Sequence, residues 1–343
     1  MTRTRKRGLL LPALLAVTGL LLAGCGDDDD SDAGNGGDGG DGGGETETAD
    51  AGQEGGGDLT IAVVTHGDGG SFWSVAKKGA EDAGRELGVT VEYSESNNDP
   101  EEQAQLIEAA VTAEVDGLAV SAPNPDAIAD AVQQAVDAGI PVITLNSGAD
   151  QFAELGAITH VGQTETVAGE GAGEKLAEAG ATKLLCVVHE QGNIGLEQRC
   201  EGAAETFGGD VENFQVTGTG DVQTTLNEIQ SKLQGDESID AVLALNPDIA
   251  IAARDAIAGS GSEAQLATFD LSGDVVQAIE DGEILFAVDQ QQYLQGYLPV
   301  VFLTLYNTNA NTVGGGQPVL TGPGFVTADN ADQVADLAEA GTR

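Results

Sequence analysis

From Asp58 onward, apolar runs alternate with amphipathic segments, and this alternation restricts the chain to an α/β fold. The runs LTIAVVT, DGLAVS and KLLCVVH are largely apolar, as expected of strands that are buried on both faces of a sheet. Between the first two runs, Val75, Gly79, Ala83 and Leu87 recur at the four-residue spacing of a helix. A regular succession of strands and helices forms parallel sheets that are covered by helices.

The strand and helix pattern occurs in two successive halves. The first half has the predicted strands LTIAVVT, VTVEYS, DGLAVS and PVITLNS, with helices between them. The pattern starts again after THVGQ with a helix over roughly 165–179, followed by the strands KLLCVVH, NFQVTG, AVLALN, LATFD and ILFAVD. Each half is too small to be the whole chain. We therefore predict two doubly wound α/β lobes, each with its own parallel sheet.

The residues that follow the predicted strands are candidates for a binding site, because ligands of open parallel sheets lie at the carboxyl ends of the strands. Polar and aromatic residues occupy these places: 66–73, 121–124, 146–147, 190–193, Asn246, Asp270 and Gln290. The three histidines lack the spacing of metal ligands, and no local motif joins them to a nucleophile. These residues offer no catalytic constellation, so we predict no enzymatic activity, no metal and no cofactor.

The loop GDGGSFW at residues 67–73 approaches a dinucleotide fingerprint but departs from it at two positions. Phe72 stands where the third glycine belongs, and Asp68 would repel a phosphate. No P-loop lysine follows the glycines either. The glycines are better explained as a sharp turn that holds Phe72 and Trp73 against a ligand of another kind.

The N-terminus predicts export and a lipid anchor. Basic residues within positions 3–7 precede the apolar run GLLLPALLAVTGLLLAG, as in a signal peptide over residues 1–24. The run ends in the residues LAGC at 22–25, which resemble the bacterial lipobox and imply that Cys25 is diacylated after cleavage. The alternative is an ordinary signal peptide with an incidental cysteine. The lipobox places the protein on the outer face of the cytoplasmic membrane.

Residues 25–57 continue from the lipidated cysteine as a tether rich in glycine and acidic residues. Apart from a few alanines the segment is polar, so we predict that it is disordered. Its DDDDSD run lacks the spaced ligands and the closing Glu of a calcium loop. The formal net charge of the chain is −44, which argues against nucleic acid as a partner.

Two cysteines remain after the lipidated one. Cys186 falls on a predicted strand and Cys200 on the helix that follows it. An exported protein meets an oxidising compartment, which permits disulfides. We predict that the pair is bonded, and the alternative is two buried thiols.

From about Leu59 to about Val326 the chain resembles the periplasmic-binding proteins of the ribose-binding type, which capture sugars for ABC importers. The stretch IAVVTHGDGGSFWSVAKKGAEDAGRELG is similar to the family's first strand and helix. Later matches follow in order in GIPVITLNS, GNIGLEQRCEGAAETF, AVLALNPDIAIAARDAI, ATFDLSG and FAVDQQQYLQG. The resemblance implies ligand-binding roles for Phe72, Trp73, Asn146, Arg199, Asn246, Asp270 and Gln290, with Asp68 and Glu190 as further candidates.

The resemblance also implies how these residues read a sugar. In the family two adjacent aromatic rings sandwich the sugar, and planar polar side chains bind its hydroxyls. Other interpretations stay open. Phe72 and Trp73 could belong to the core, and Arg199 could form a surface ion pair. Asn246 and Asp270 could cap helices, and Gln291 could take the place of Gln290. Asn146 and Ser147 stand where the family usually has an acidic residue followed by arginine. A pentose, a hexose, a polyol and an inositol therefore all remain open as ligands.

The implied architecture is a type I periplasmic-binding-protein fold with the ligand cleft between its lobes. Residues 58–161 and about 291–321 would form the N-terminal lobe, and 162–290 and about 322–343 the C-terminal lobe. Three hinge segments would cross between them near 160–163, 289–292 and 320–324. We expect a monomer that closes around its ligand and docks on a membrane permease.

Three rival functions share part of this pattern. A lipid-anchored receptor that signals to a kinase would share the anchor and the lobes. An enzyme could use the same sheets. A transcription regulator with the same core would need a helix-turn-helix before it, where this chain has a lipobox and a tether.

Overall fold

The computed structural model describes residues 57–343. The predicted signal peptide, the lipidation site Cys25 and the tether up to residue 56 lie outside the described residues. Within the part described, every helix is too short or too polar to cross a membrane.

The first lobe is built from alternating strands and helices of the N-terminal half. In chain order they are β1 (Thr60–Thr65), α1 (Ser71–Leu87), β2 (Thr90–Glu95), α2 (Pro100–Thr112), β3 (Gly117–Ser121), α3 (Pro125–Asp137), β4 (Val142–Asn146) and β5 (His160–Gly162). Strands β3 and β4 are buried along their whole length, which explains their continuous apolar sequence. Asp99 caps α2 through its side chain, and Pro100 occupies its first turn.

The second lobe repeats this organisation. Its elements are α4 (Glu165–Glu178), β6 (Lys183–Val188), α5 (Ile194–Phe207), β7 (Asp210–Gln215), α6 (Val222–Gly235), β8 (Ala241–Ala244), α7 (Pro247–Ser260), β9 (Gln265–Phe269), α8 (Gly273–Glu280) and β10 (Phe286–Asp289). The chain then returns to the first lobe with α9 (Gln292–Asn309) and β11 (Val319–Leu320). It ends in the second lobe with β12 (Gly324–Thr327) and α10 (Ala335–Glu339). A disulfide joins Cys186 of β6 to Cys200 of α5.

Each lobe has one six-stranded sheet, and the prediction of two doubly wound α/β lobes is confirmed. The strand orders are β11-β5-β4-β3-β1-β2 and β12-β10-β9-β8-β6-β7. All pairings are parallel except that of β10 with the edge strand β12. Buried apolar side chains pack between each sheet and the helices on both of its faces.

Three short segments connect the lobes and lie side by side. They follow β5, β10 and β11, so the first begins after Gly162, the second after Asp289 and the third after Leu320. The backbone N–H of Thr321 donates to the carbonyl oxygen of Gly162 at 2.7 Å, and the Thr321 hydroxyl donates to the carbonyl oxygen of Gln290 at 2.7 Å. The three segments are thus hydrogen-bonded to one another at the place where the chain passes between the lobes.

One element of this region differs from what the sequence suggests. Residues 160–162 form strand β5 of the first sheet, where we expected only a crossing segment. A strand this short has no periodicity of its own and is fixed by its pairing with β4, in which His160 lies opposite Thr144.

Glycines allow helix α9 to pack closely on α1. A Cβ atom at Gly79 or Gly296 would collide with the backbone of the facing helix.

Candidate binding site between the lobes

A cavity of about 300 Å³ lies between the lobes at the carboxyl ends of both sheets. The residues that line it are His66, Phe72, Trp73, Asn146, Ser147, His189, Glu190, Asn193, Leu196, Arg199, Leu245, Asn246, Asp270 and Gln290. The structure therefore brings together every predicted binding residue except Asp68.

Phe72 and Trp73 form one apolar wall of the cavity. Both belong to the first turn of α1 and are 4 % exposed. Their rings meet edge to face, with centroids 4.9 Å apart and an interplanar angle of 82°. The expected sandwich is therefore wrong, since no sugar ring fits between two rings in contact. Such a wall can instead cover the C–H face of a ligand from one side.

Arg199 of α5 enters the cavity from the second lobe, held by a carboxylate that the sequence did not reveal. Its Nε donates to Glu165 Oε2 at 2.6 Å and its Nη2 to Glu165 Oε1 at 3.0 Å. Burial alone would lower the pKa of Arg199, but the charge and hydrogen bonds of Glu165 raise it above its usual value. The residue is thus a buried cation whose Nη1 donates to the carbonyl oxygen of Leu245 at 3.2 Å and lies 3.9 Å from Asp270 Oδ2.

Asp270 and Gln290 form a polar pair beside this guanidinium. Gln290 Nε2 donates to Asp270 Oδ1 at 2.7 Å. Burial raises the pKa of Asp270 to about 7, against the opposing charge of Arg199. The side chain of Ser272 caps α8, so Asp270 is not the helix cap. Gln291, the alternative to Gln290, is absent from the cavity lining and donates to the carbonyl oxygen of Thr321 instead.

Asn246 has two roles at once. Its Oδ1 caps α7 by accepting from the backbone N–H of Asp248 at 2.8 Å and of Ile249 at 3.4 Å. The capping interaction uses only the amide oxygen. Its two N–H donors remain for the cavity that the residue lines.

Two buried histidines from opposite lobes flank Glu190. His66 Nε2 lies 3.6 Å from Glu190 Oε2, and His189 Nε2 lies 3.7 Å from Glu190 Oε1. Burial lowers the pKa of each histidine to about 3, and burial raises the pKa of Glu190 to about 7. Asn193 donates to Glu190 Oε2 at 2.5 Å. The imidazoles are therefore neutral hydrogen-bonding groups at physiological pH.

The lobes are closed over the cavity. The backbone N–H of Ile194 donates to the carbonyl oxygen of Pro123 at 3.1 Å, and that of Ser71 donates to Asp248 Oδ2 at 3.2 Å. Asp68 belongs to this rim, because its carboxylate accepts from the Thr219 hydroxyl of the opposite lobe. It therefore holds the lobes together and does not line the cavity.

The arrangement suits a small, uncharged ligand rich in hydroxyl groups. Amides, carboxylates, imidazoles and one guanidinium surround the edge of the cavity, and aromatic rings cover one face. Among residues 57–343, no group of three His, Cys, Asp or Glu side chains is placed to hold a metal ion. Hydroxyl groups contact two histidines, with Ser121 Oγ 2.7 Å from His66 Nδ1 and Thr144 Oγ1 3.0 Å from His160 Nδ1, but neither Ser121 nor Thr144 lines the cavity.

Known proteins resemble the chain in sequence and structure. A model of the periplasmic binding protein domain matches residues 61–307. The ribose import binding protein of Haemophilus influenzae is 26% identical over 71% of this chain and 83% of its own length. The Bacillus subtilis ribose import binding protein is 27% identical over 70% and 79%.

A solved structure matches more strongly. The crystal structure of a carbohydrate transporter from Acidothermus cellulolyticus 11B, in complex with myo-inositol, is 45% identical in sequence. The match covers 83% of this chain and 100% of that chain, with a TM-score of 0.82.

Proposed function

The chain belongs to the family of periplasmic binding protein domains, and from this premise we propose that its cavity captures an inositol. As a member of this family it is an extracytoplasmic sugar-binding protein of ABC transport. It takes its ligand between two lobes and delivers it to an importer. What we add is the ligand class and the residues that recognise it.

The observation that carries the proposal is the set of polar side chains that line the cavity. An inositol has a hydroxyl group on every ring carbon and no ring oxygen, so each point of its edge needs a donor or an acceptor. Asn146, Ser147 and His66 supply such groups from the first lobe. Arg199 and Asp270 are among those of the second. The likeness to a transporter solved with myo-inositol supports the same class.

The first lobe favours an inositol over ribose. Asn146 and Ser147 replace the acidic residue and arginine that a ribose-binding protein usually has at the end of this strand. A neutral amide and a hydroxyl each donate and accept, so they suit a ligand whose neighbouring hydroxyls are chemically equivalent. Trp73 then covers the C–H face of the ring.

A thermal-shift screen tests the ligand class. The panel holds myo-inositol, scyllo-inositol, ribose, xylose, glucose and sorbitol, each at the same concentration. A ligand present at a thousandfold excess over its Kd stabilises the folded protein by about 4 kcal/mol. We expect the inositols to raise the melting temperature most. A larger shift with ribose would refute the proposal, and no shift with any member would refute sugar binding as well.

We further propose that the mature protein is a lipid-anchored monomer. The lipobox ending in Cys25 supports the anchor, and the tether over residues 26–57 would let the lobes reach a permease. A Cys25→Ala variant should appear in the culture medium or the soluble periplasm instead of the membrane fraction. Membrane retention of that variant would contradict the anchor.

A further inference from the structure

A chain of hydrogen-bonded amides lies directly behind the cavity and joins the two lobes. Asn146 Nδ2 donates to Gln295 Oε1 at 3.2 Å, and Gln295 Nε2 donates to Gln290 Oε1 at 2.8 Å. Gln290 Nε2 donates in turn to Asp270 Oδ1 at 2.7 Å. The amide chain thus begins in β4 of the first lobe and ends on a carboxylate of the second.

An ionised Asp270 fixes the direction of the bonds in the amide chain. An ionised carboxylate only accepts hydrogen bonds, so Gln290 must turn its N–H groups toward Asp270 and its oxygen toward Gln295. Gln295 must then donate to that oxygen, which leaves its own oxygen for Asn146. At the other end Asn146 Oδ1 accepts from the Ser147 hydroxyl at 3.1 Å. The amide orientations are therefore set from the Asp270 end, and the Ser147 hydroxyl, which can donate or accept, adapts to them.

Gln295 is the member of the amide chain that does not line the cavity. It lies in the first turns of α9 and is 0 % exposed. Its Nε2 also lies 3.3 Å from the Thr321 hydroxyl and 3.3 Å from the carbonyl oxygen of Gln290. A single side chain therefore contacts the second and third crossing segments while holding a residue of the first lobe.

The backbone of Gln295 has little freedom to move away from this position. The next residue, Gly296, packs against the backbone of α1 so closely that a Cβ atom there would collide with Ala76. Burial and this close approach fix the place of the Gln295 amide relative to the first sheet.

We propose that Gln295 is a positioning residue for ligand binding. It does not reach the sugar, but it fixes the direction in which Asn146 and Gln290 present their amides to the hydroxyl groups. Its role rests on the proposed function, because those two amides matter only if the cavity holds a polyol. Only a side chain with a donor and an acceptor on one planar group can fill this place: methionine offers neither, and an ionised glutamate offers acceptors only.

A pH-dependent variant separates positioning from mere packing. In Gln295→Glu the ionised side chain cannot donate to Gln290, whereas the protonated acid regains an O–H donor beside its carbonyl acceptor and can replace one N–H of the amide. We expect myo-inositol to bind this variant at least about tenfold more weakly than wild type at pH 8. At pH 5 we expect the difference to shrink to about threefold or less. Gln295→Met should bind weakly at both pH values.

Other titratable groups lie near this position, so affinities are compared with wild type at the same pH. On the elements that pack against the first turns of α9, the charged or titratable side chains include Lys78, Asp82, Arg85, Glu86, His160, Asp270, Asp289 and Arg343. Burial lowers the pKa of His160 to about 3, so it stays neutral at both values. Asp270 keeps an accepting oxygen when protonated, so Gln290 retains its partner. Asp289 is paired with Arg343, and Asp82 meets Tyr293 and not Gln295.

Gln292→Glu is the matched control. Gln292 is another buried glutamine of α9, but its Nε2 donates to the carbonyl oxygen of Leu271 and it takes no part in the amide chain. The ratio of the myo-inositol affinity of Gln292→Glu to that of wild type should be the same at pH 5 and pH 8. The proposal would be overturned if the affinity of Gln295→Glu relative to wild type were equally independent of pH. It would also be overturned if Gln295→Met bound myo-inositol as tightly as wild type.

Wild-type protein keeps the two proposals distinct. If wild type does not bind myo-inositol, the proposed ligand is wrong, and the same ratios are measured with the sugar that stabilises wild type most in the screen. If wild type binds and the pH dependence of Gln295→Glu is absent, only the role of Gln295 fails.

Discussion

Replacing Asp270 by asparagine should stabilise the folded protein while weakening ligand binding. The carboxyl is buried, and its pKa rises from 3.8 to about 7, chiefly through loss of hydration. Because the folded-state pKa lies above the unfolded value, this group favours folding most below pH 3.8. Stability is then lost as the pH rises through 7.

The size of the effect follows from the same pKa shift. One pKa unit corresponds to about 1.4 kcal/mol, so a shift from 3.8 to about 7 costs wild type about 4 kcal/mol at pH 8. The asparagine side chain cannot ionise and avoids this cost, while its oxygen can still accept from Gln290. Relative to wild type, Asp270→Asn should therefore gain up to about 4 kcal/mol between pH 4 and pH 8.

Ligand binding should change in the opposite direction. A hydrogen bond to a charged group contributes about 1.5–3 kcal/mol, so losing the carboxylate should weaken sugar binding about tenfold to a hundredfold at pH 8. Denaturant unfolding at both pH values and calorimetric titration measure the two effects. The exposed Asp274 of α8 provides the control Asp274→Asn. An Asp270→Asn variant that is less stable than wild type at pH 8, or that binds equally well, would refute the reasoning.

Three further substitutions probe other parts of the site. Trp73→Ala should lose both the fluorescence response to ligand and about tenfold or more in affinity, whereas an unchanged titration would place the indole outside the site. Arg199→Ala should lose affinity and also about 3 kcal/mol of stability, because it leaves Glu165 buried without its cation; equal denaturation midpoints for variant and wild type would contradict this. Asp68→Ala removes the rim contact with Thr219, which joins the two lobes. We expect a severalfold loss of affinity with an unchanged melting temperature of the unliganded protein, and unaltered binding would show that the contact does not favour closure.

The sequence predicts the fold well because burial leaves a strong pattern. Strands β3 and β4 are apolar at every inner position, and the Asp99 and Pro100 signals mark the start of α2. Strand β5 escapes prediction because it is three residues long and takes its conformation from its neighbour. The antiparallel pairing of β12 is likewise set by its partner β10, far away in sequence.

Apart from Arg199, which the family resemblance marks within a helix, the candidate site is predictable where a residue follows a strand. His66, Asn193 and Ser147 lie in the strand-end segments that the sequence marks, although nothing local singles them out. Glu165 and Gln295 carry no such signal. The first is an ordinary acidic residue in the first turn of a helix, and the second resembles any polar helix position until folding brings it to the hinge.

Geometry adds what composition alone cannot supply. Two adjacent aromatic residues, Phe72 and Trp73, suggest that a sugar lies between their rings. In the structure both residues belong to one helical turn, and their rings meet edge to face on the same wall of the cavity. Asp68 is close to the cavity in sequence and yet points to the rim, because its loop turns sharply at Gly69, where φ is 76°. The binding roles of the lining residues stay predictions until ligand affinities are measured.

Calorimetric titration of the purified protein with myo-inositol tests the central claim most directly. The closed cavity predicts saturable binding of one molecule per chain, with affinity at least about tenfold above that for ribose under the same conditions. Absence of binding at millimolar inositol, or tighter binding of ribose, would contradict the claim that this cavity is built for a cyclic polyol.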